Sequence, residues 1–169
     1  MNETTLSAID ALIESFEKNT YTERHVESLL NYLVALDENE DLQTINAIAK
    51  VLGFCNKDFV QKSIIERLGH KDTTNHIKTC LLTACWESGL NYSPFIDVIV
   101  QAMLSGNERV AIEAYTVILE CNESGDTLKK AIEEINHSDQ KNYSPAHRIL
   151  INDSLHHLIA LNQITESKI

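Results

Sequence analysis

The side chains best able to do chemistry here are few and scattered. Asp153 and His157 stand four apart, one helical turn, and with His156 they make the most metal-like grouping in the chain. Adjacent histidines point about 100° apart on a helix, so at most one of the pair joins Asp153. Two ligands on one helix do not complete a metal site, which needs a third and usually a fourth. No cofactor is expected. The sequence contains no GxSxG elbow, no HExxH, no phosphate-binding P-loop and no dinucleotide fingerprint. Neighbouring carboxylates occur at Glu133-Glu134 and from Asp37 to Asp41, but both groups fall on faces expected to be wet. The four cysteines, Cys55, Cys80, Cys85 and Cys121, form no CxxC pair and sit in apolar helical contexts. They read as small buried hydrophobes of a reducing compartment. Cys80 and Cys85 are about 140° apart around a helix, poor geometry for joint ligation. Nothing here reads as catalytic.

The elements that position these residues are helical. In 169 residues there are only 5 Gly and 2 Pro, against 43% hydrophobic residues, so long helices joined by short turns are expected. Val and Ile recur at helical rather than alternating spacing, which makes the chain all-α and a single domain over residues 1–169. The most apolar region is 72–120. Its first helix, carrying Ile77 to Trp86, is too apolar to lie at a rim; the next, Pro94 to Leu104, has only Asp97 and Gln101 as a thin wet edge. In the third, Arg109, Glu113, Thr116 and Glu120 form one wet stripe. Trp86 is expected to be largely buried between helices, with its indole N–H aimed at a polar edge.

Cap signals mark the boundaries. Thr20 with Glu23 has the form of a capping box ahead of a helix over Tyr21 to Leu36. The acidic turn at Asp37 to Asp41 suits the start of a helix over Leu42 to Phe54. A helix over Asp58 to Leu68 is expected to stop at a left-handed Gly69, and Asp72 to cap the helix that carries Trp86. Ser93-Pro94 and Ser144-Pro145 each belong to the tetrapeptide Asn-Tyr-Ser-Pro and should each open a helix. Between them a short polar helix, Thr127 to Ile135, turns Leu128, Ala131, Ile132 and Ile135 inward. The last helix spans 143–162 with its cap.

Placing alternate helices over one another aligns Ile9, Ile45, Ile77, Ile112 and Ile149, at intervals of roughly 32 to 37 residues. That period suits stacked helical hairpins, each covering its neighbour's apolar face. The region Asp72 to Leu82, with an acidic turn followed by Ile77-Lys78, and the run Gly106-Asn107-Glu108-Arg109-Val110-Ala111-Ile112-Glu113-Ala114 resemble HEAT-like α-helical repeats, in particular the short HEAT-like proteins of bacteria. The likeness is best over 41–136, with 143–162 as a C-terminal cap. The first-helix proline of many such units is missing, which leaves HEAT and armadillo-like classes both open.

The resemblance implies a right-handed α-α superhelix, about nine helices long, whose concave surface is lined by the second helix of each hairpin. On that surface the periodicity places Gln61, Lys62 and Glu66, then Asp97 and Gln101, then Lys130, Glu133 and Glu134 as candidate protein-binding residues. The implied function is a non-catalytic interaction module or scaffold that binds a protein or peptide; the rival is an enzyme of nucleic-acid or small-molecule chemistry, which needs a deep pocket holding Trp86 and two or more ionisable groups. Some HEAT-like proteins excise alkylated bases with aromatic and acidic residues in a basic groove, and Trp86, Glu87 and Tyr92 offer the first two. The basic groove is lacking: Lys and Arg total 14 against 25 acids, a formal net charge of −11 spread over both halves of the chain. Such a chain is repelled by nucleic acid and anionic lipid and permits a basic protein partner, which its acidic surface would neutralise. No stretch reaches the ~20 apolar residues of a membrane span, and a cytoplasmic protein is expected.

Overall fold

The structure, a computed structural model, describes residues 11–36, 42–122 and 125–166. Among them the ordered elements are helices and turns, with no strand. The helices are α1 (residues 11–17), α2 (Glu23–Ala35), α3 (Leu42–Gly53), α4 (Asp58–Leu68), α5 (Asn75–Glu87), α6 (Ile96–Ser105), α7 (Glu108–Glu120), α8 (Asp126–His137) and α9 (Pro145–Glu166). The expected early residues Leu6 and Ile9 and the acidic turn at Asp37 to Asp41 lie outside the described residues.

Each helix is set by its apolar spacing. α2 buries Val26, Leu29, Leu30 and Leu33, at i, i+3, i+4 and i+7. α9 buries His147, Ile151, Ser154 and Leu158 along a similar stripe. α5 is different, because Ile77, Thr79, Cys80, Leu81, Leu82, Ala84 and Cys85 are all buried and leave little of its circumference free. It packs against α3 on one side and α7 on the other, and also touches α4. A fully buried leucine such as Leu81 contributes roughly 1.5–3 kcal/mol by leaving water.

The packing order is regular. α3 packs on α5, α5 on α7 and α7 on α9; α2 packs on α4, α4 on α6 and α6 on α8. Consecutive helices α2 and α3, α4 and α5, α6 and α7, and α8 and α9 join the two sets. The small buried residues Ala111 and Ala114 let α7 approach its neighbours closely. At the start of the chain, the rings of Phe16 and Tyr21 stack with centroids 4.5 Å apart. Lys57 Nζ sits 3.8 Å above the Tyr21 ring and donates to the Tyr21 carbonyl, fastening this corner to the start of α4.

Several boundaries differ from the sequence expectation. Thr22, not Thr20, precedes α2, and its backbone N–H donates to His25 Nδ1 at 3.1 Å, while the Thr20 hydroxyl turns back to the Ser15 carbonyl. Thr74, not Asp72, caps α5 by accepting from the Ile77 N–H. In both places a threonine two residues later takes the cap position. Gly69 ends α4 in a right-handed conformation, φ −77°; the left-handed glycine is Gly89, φ 63°. The repeated tetrapeptide behaves in two ways. Ser144 accepts from the His147 N–H and starts α9 as expected. Ser93 instead begins a 3-10 turn, Ser93–Phe95, and its buried hydroxyl accepts from the Asn122 N–H, so α6 starts only at Ile96.

The isoleucine alignment also fails on two members. Ile45 and Ile77 are buried, whereas Ile112 and Ile149 are exposed. The spacing of the helices is therefore more regular than the register of their faces. On α7 the outward side carries Ile112 and Leu119 beside its polar residues, so its stripe is less purely wet than expected.

Candidate functional site

Four of the eight candidate residues are brought together between α6 and α8. Lys130 Nζ lies 2.7 Å from Asp97 Oδ2 and 4.0 Å from Glu134 Oε1, and Gln101 Nε2 donates to the same Glu134 oxygen at 2.9 Å. Asp97 is mostly covered, its side chain 14% exposed, while Lys130 remains 55% exposed. The Asp97 hydrogen bond and charge hold the Lys130 ammonium above the ordinary lysine range. Asp97 is thus spoken for within the chain. The second carboxylate oxygen of Glu134 is buried and finds no hydrogen-bond partner among the described residues.

Gln101 and Glu134 face a cleft of about 660 Å³ where α4, α6 and α8 reach their C-terminal ends. Its floor is apolar, made by Leu68, Val98, Ala102 and Leu104. Lys78, from the first turn of α5, forms a polar wall and donates to Ser105 Oγ at 2.9 Å. Partial burial lowers its pKa from the usual value. His137 stands at the end of α8, its Nδ1 2.7 Å from the Glu133 carbonyl. A cleft with an apolar floor and a few convergent polar groups is the general form of a ligand pocket.

The other candidates lie apart. Gln61 Nε2 donates to the Asn91 carbonyl at 2.6 Å and ties α4 to the loop before α6. Lys62 and Glu66 line an open hollow of about 720 Å³ with Glu23 and Asp58, and Glu133 is exposed on α8. Lys78, Ser105 and His137 were not among the expected surface residues. Their signal was faint: a lysine near the start of the Ile77-to-Trp86 run, where a charged side chain seldom sits without a polar partner.

Trp86 corrects the sequence expectation. It is 40% exposed, because α7 covers one side of the ring while the end of α3 leaves another open. Its indole N–H does reach a polar group, Glu113 Oε2, at 2.9 Å. A hollow of about 180 Å³ beside it is lined by Cys85, Tyr92 and Glu120. Burial pushes the Cys85 thiol up to about 12 and raises Tyr92 as well, so neither offers a base or a nucleophile near neutral pH. All four cysteines are free and buried. Asp153 and His156 are exposed and His157 is half-buried; among the described residues no three His, Cys, Asp or Glu side chains converge as a metal site. No helix among the described residues is long and apolar enough to cross a membrane.

Compared with protein-family models, with curated proteins and with solved structures, the chain has no significant match.

Proposed function

We propose that the chain is a non-catalytic interaction module that binds a segment of another protein along the surface carried by α4, α6 and α8. The observation that carries this reading is the cleft at their C-terminal ends, with its apolar floor and its rim of Gln101, Glu134 and Lys78. A partner side chain entering over Val98 and Leu104 would leave water, while Gln101 and Lys78 answer the polar groups of its backbone. The pairing of Asp97 with Lys130 fixes α6 against α8, so the receiving surface is organised before any partner arrives. We read the alternating stack of helices as a HEAT-like, right-handed superhelix, supported by α3 on α5 on α7 on α9 and α2 on α4 on α6 on α8. Four free buried thiols suit a cytoplasmic setting.

The test places a photo-crosslinking amino acid at position 101 and, as a control, at the exposed position 153, in cells. Position 101 should trap a discrete partner, and Val98→Glu should abolish that product while the helical spectrum stays. Equal trapping from position 153 would sink the assignment of the cleft.

A further inference from the structure

A second surface, sharing no residue with the cleft, lies between α3 and α5. Phe54 is 78% exposed and Trp86 40% exposed, and both line one groove of about 570 Å³ with Ala49, Lys50, Thr83 and Glu87. Two large aromatic rings exposed on one groove, rather than a single ring alone, point to a docking surface. The groove is built rather than incidental. The bond to Glu113 fixes one edge of the Trp86 ring. Glu87 lies directly over Gly53, where a Cβ would stand 2.8 Å from both its Cβ and its carboxylate oxygen, so the glycine lets Glu87 settle against the end of α3 on the groove that Phe54 also lines.

Charge indicates the occupant. Three acids surround Trp86: Glu87 in the groove, Glu113 on its indole, and Glu120 in the adjoining hollow. The resident cation is Lys50, whose ammonium lies 5.9 Å from the Phe54 ring centre, at the outer limit of a cation–π contact. Self-association through this patch would bring together two chains of net charge −11. We propose that the groove receives the arginine or lysine side chain of a basic peptide, its aliphatic stem on Trp86 and its charged head between the face of Phe54 and the Glu87 carboxylate. Aromatic faces and a carboxylate around one hollow answer a cationic head on an aliphatic stem, and best of all the planar, weakly hydrated guanidinium of arginine. Lys50 then competes with the guest for the same ring. That gives the proposal a sign: removing Lys50 helps a cationic guest and harms an anionic one.

Trp86 is the chain's one tryptophan, so its emission reports this groove directly. The full chain is titrated with three tryptophan-free pentapeptide amides, one of arginine and lysine flanked by glycine, one with glutamate in their place and one with leucine. The basic peptide should give a saturable change in emission. Phe54→Ala and Glu87→Gln should each weaken it about tenfold, and Lys50→Gln should tighten it a few-fold. Phe54 is exposed, so Phe54→Ala should melt where the parent does; if it does not, the isosteric Glu87→Gln carries the comparison. An equal response to the glutamate or leucine peptide overturns the proposal, as does no saturable response, an effect of Lys50→Gln in the opposite direction, or insensitivity to both Phe54→Ala and Glu87→Gln.

Discussion

The indole N–H of Trp86 and the carboxylate of Glu113 meet across 2.9 Å, joining α5 to α7 by a bond at the edge of solvent. The ring is anchored yet half in water, which divides its contribution between packing and display.

Because so much of the ring is exposed, Trp86→Ala should destabilise the fold by about 2 kcal/mol, below the 3–5 kcal/mol typical of an enclosed aromatic. Urea unfolding followed by circular dichroism measures this directly. A loss near 5 kcal/mol would mean that the ring is covered. Glu113→Ala should leave stability nearly unchanged and shift the emission maximum of Trp86.

The buried thiols set an alkaline limit. Burial raises Cys80 and Cys85 from the ordinary value of 9.0 to about 12. In the unfolded chain they ionise from about pH 9, whereas in the folded chain they keep their protons, so over that interval the unfolded form binds fewer protons and stability falls as pH rises. Each thiol contributes a slope of about 1.4 kcal/mol per pH unit there, and below pH 9 the effect vanishes. Melting temperature should therefore drop from pH 9 upward, and less steeply in Cys80→Ala and Cys85→Ala when each is compared with its own value at pH 7. At pH 8 a thiol reagent should label the native chain slowly and all four cysteines after unfolding.

The two copies of Asn-Tyr-Ser-Pro should respond differently to the loss of their serine. Ser144→Ala removes a helix cap and the hydroxyl's bond to Glu108 Oε2 and should cost about 1 kcal/mol, largely restored by Ser144→Asn, whose amide can both accept from the His147 N–H and donate to Glu108. Ser93→Ala leaves the Asn122 N–H short of its acceptor inside the fold, and Ser93→Asn should not restore it, because the larger amide must fit where a small hydroxyl is buried. Thermal melts of the four variants decide it. Rescue by asparagine at both positions would contradict the structural difference between them.

Charge reversal tests whether a basic partner is held at the α4–α8 surface. Glu66→Lys with Glu133→Lys should weaken capture of the partner trapped at position 101 while leaving the melting temperature within a few degrees, since both side chains are exposed. Asp97 is unsuitable for such a swap, because a lysine there would face Lys130. Capture should also fall between low and physiological salt. Salt-insensitive capture would put the apolar floor of the cleft in charge instead. Labelled single-stranded and duplex oligonucleotides should show no appreciable binding near physiological salt, given the net charge of −11.

Helix faces were legible in the sequence wherever one period governed them. Val26, Leu29, Leu30 and Leu33 announced the buried side of α2, and Asp58 to Leu68 gave α4 its observed bounds. Caps were less legible because Thr20 and Thr22, or Asp72 and Thr74, are chemically interchangeable and the backbone path chooses between them. Ser93 and Ser144 have the same three neighbours, so their difference comes from partners far along the chain, Asn122 and Thr127 for Ser93 and Glu108 for Ser144. The exposure of Trp86 depends on how far the end of α3 reaches over α5, which no local pattern encodes. The candidate cleft was half legible: Gln101 and Glu134 came from periodicity, whereas Lys78 joins them only because the first turn of α5 meets the end of α6 at Ser105.

The regular packing order carries a kinetic consequence. Every substantial helix pairing joins neighbours one or two places apart in the sequence, from α2 on α4 to α7 on α9. Few distant loops must close before a pairing forms, which favours rapid folding for a chain of this length. α5 and α7 have partners on both sides, so opening α2 or α9 need not open them, and their amides should be the last to exchange with solvent.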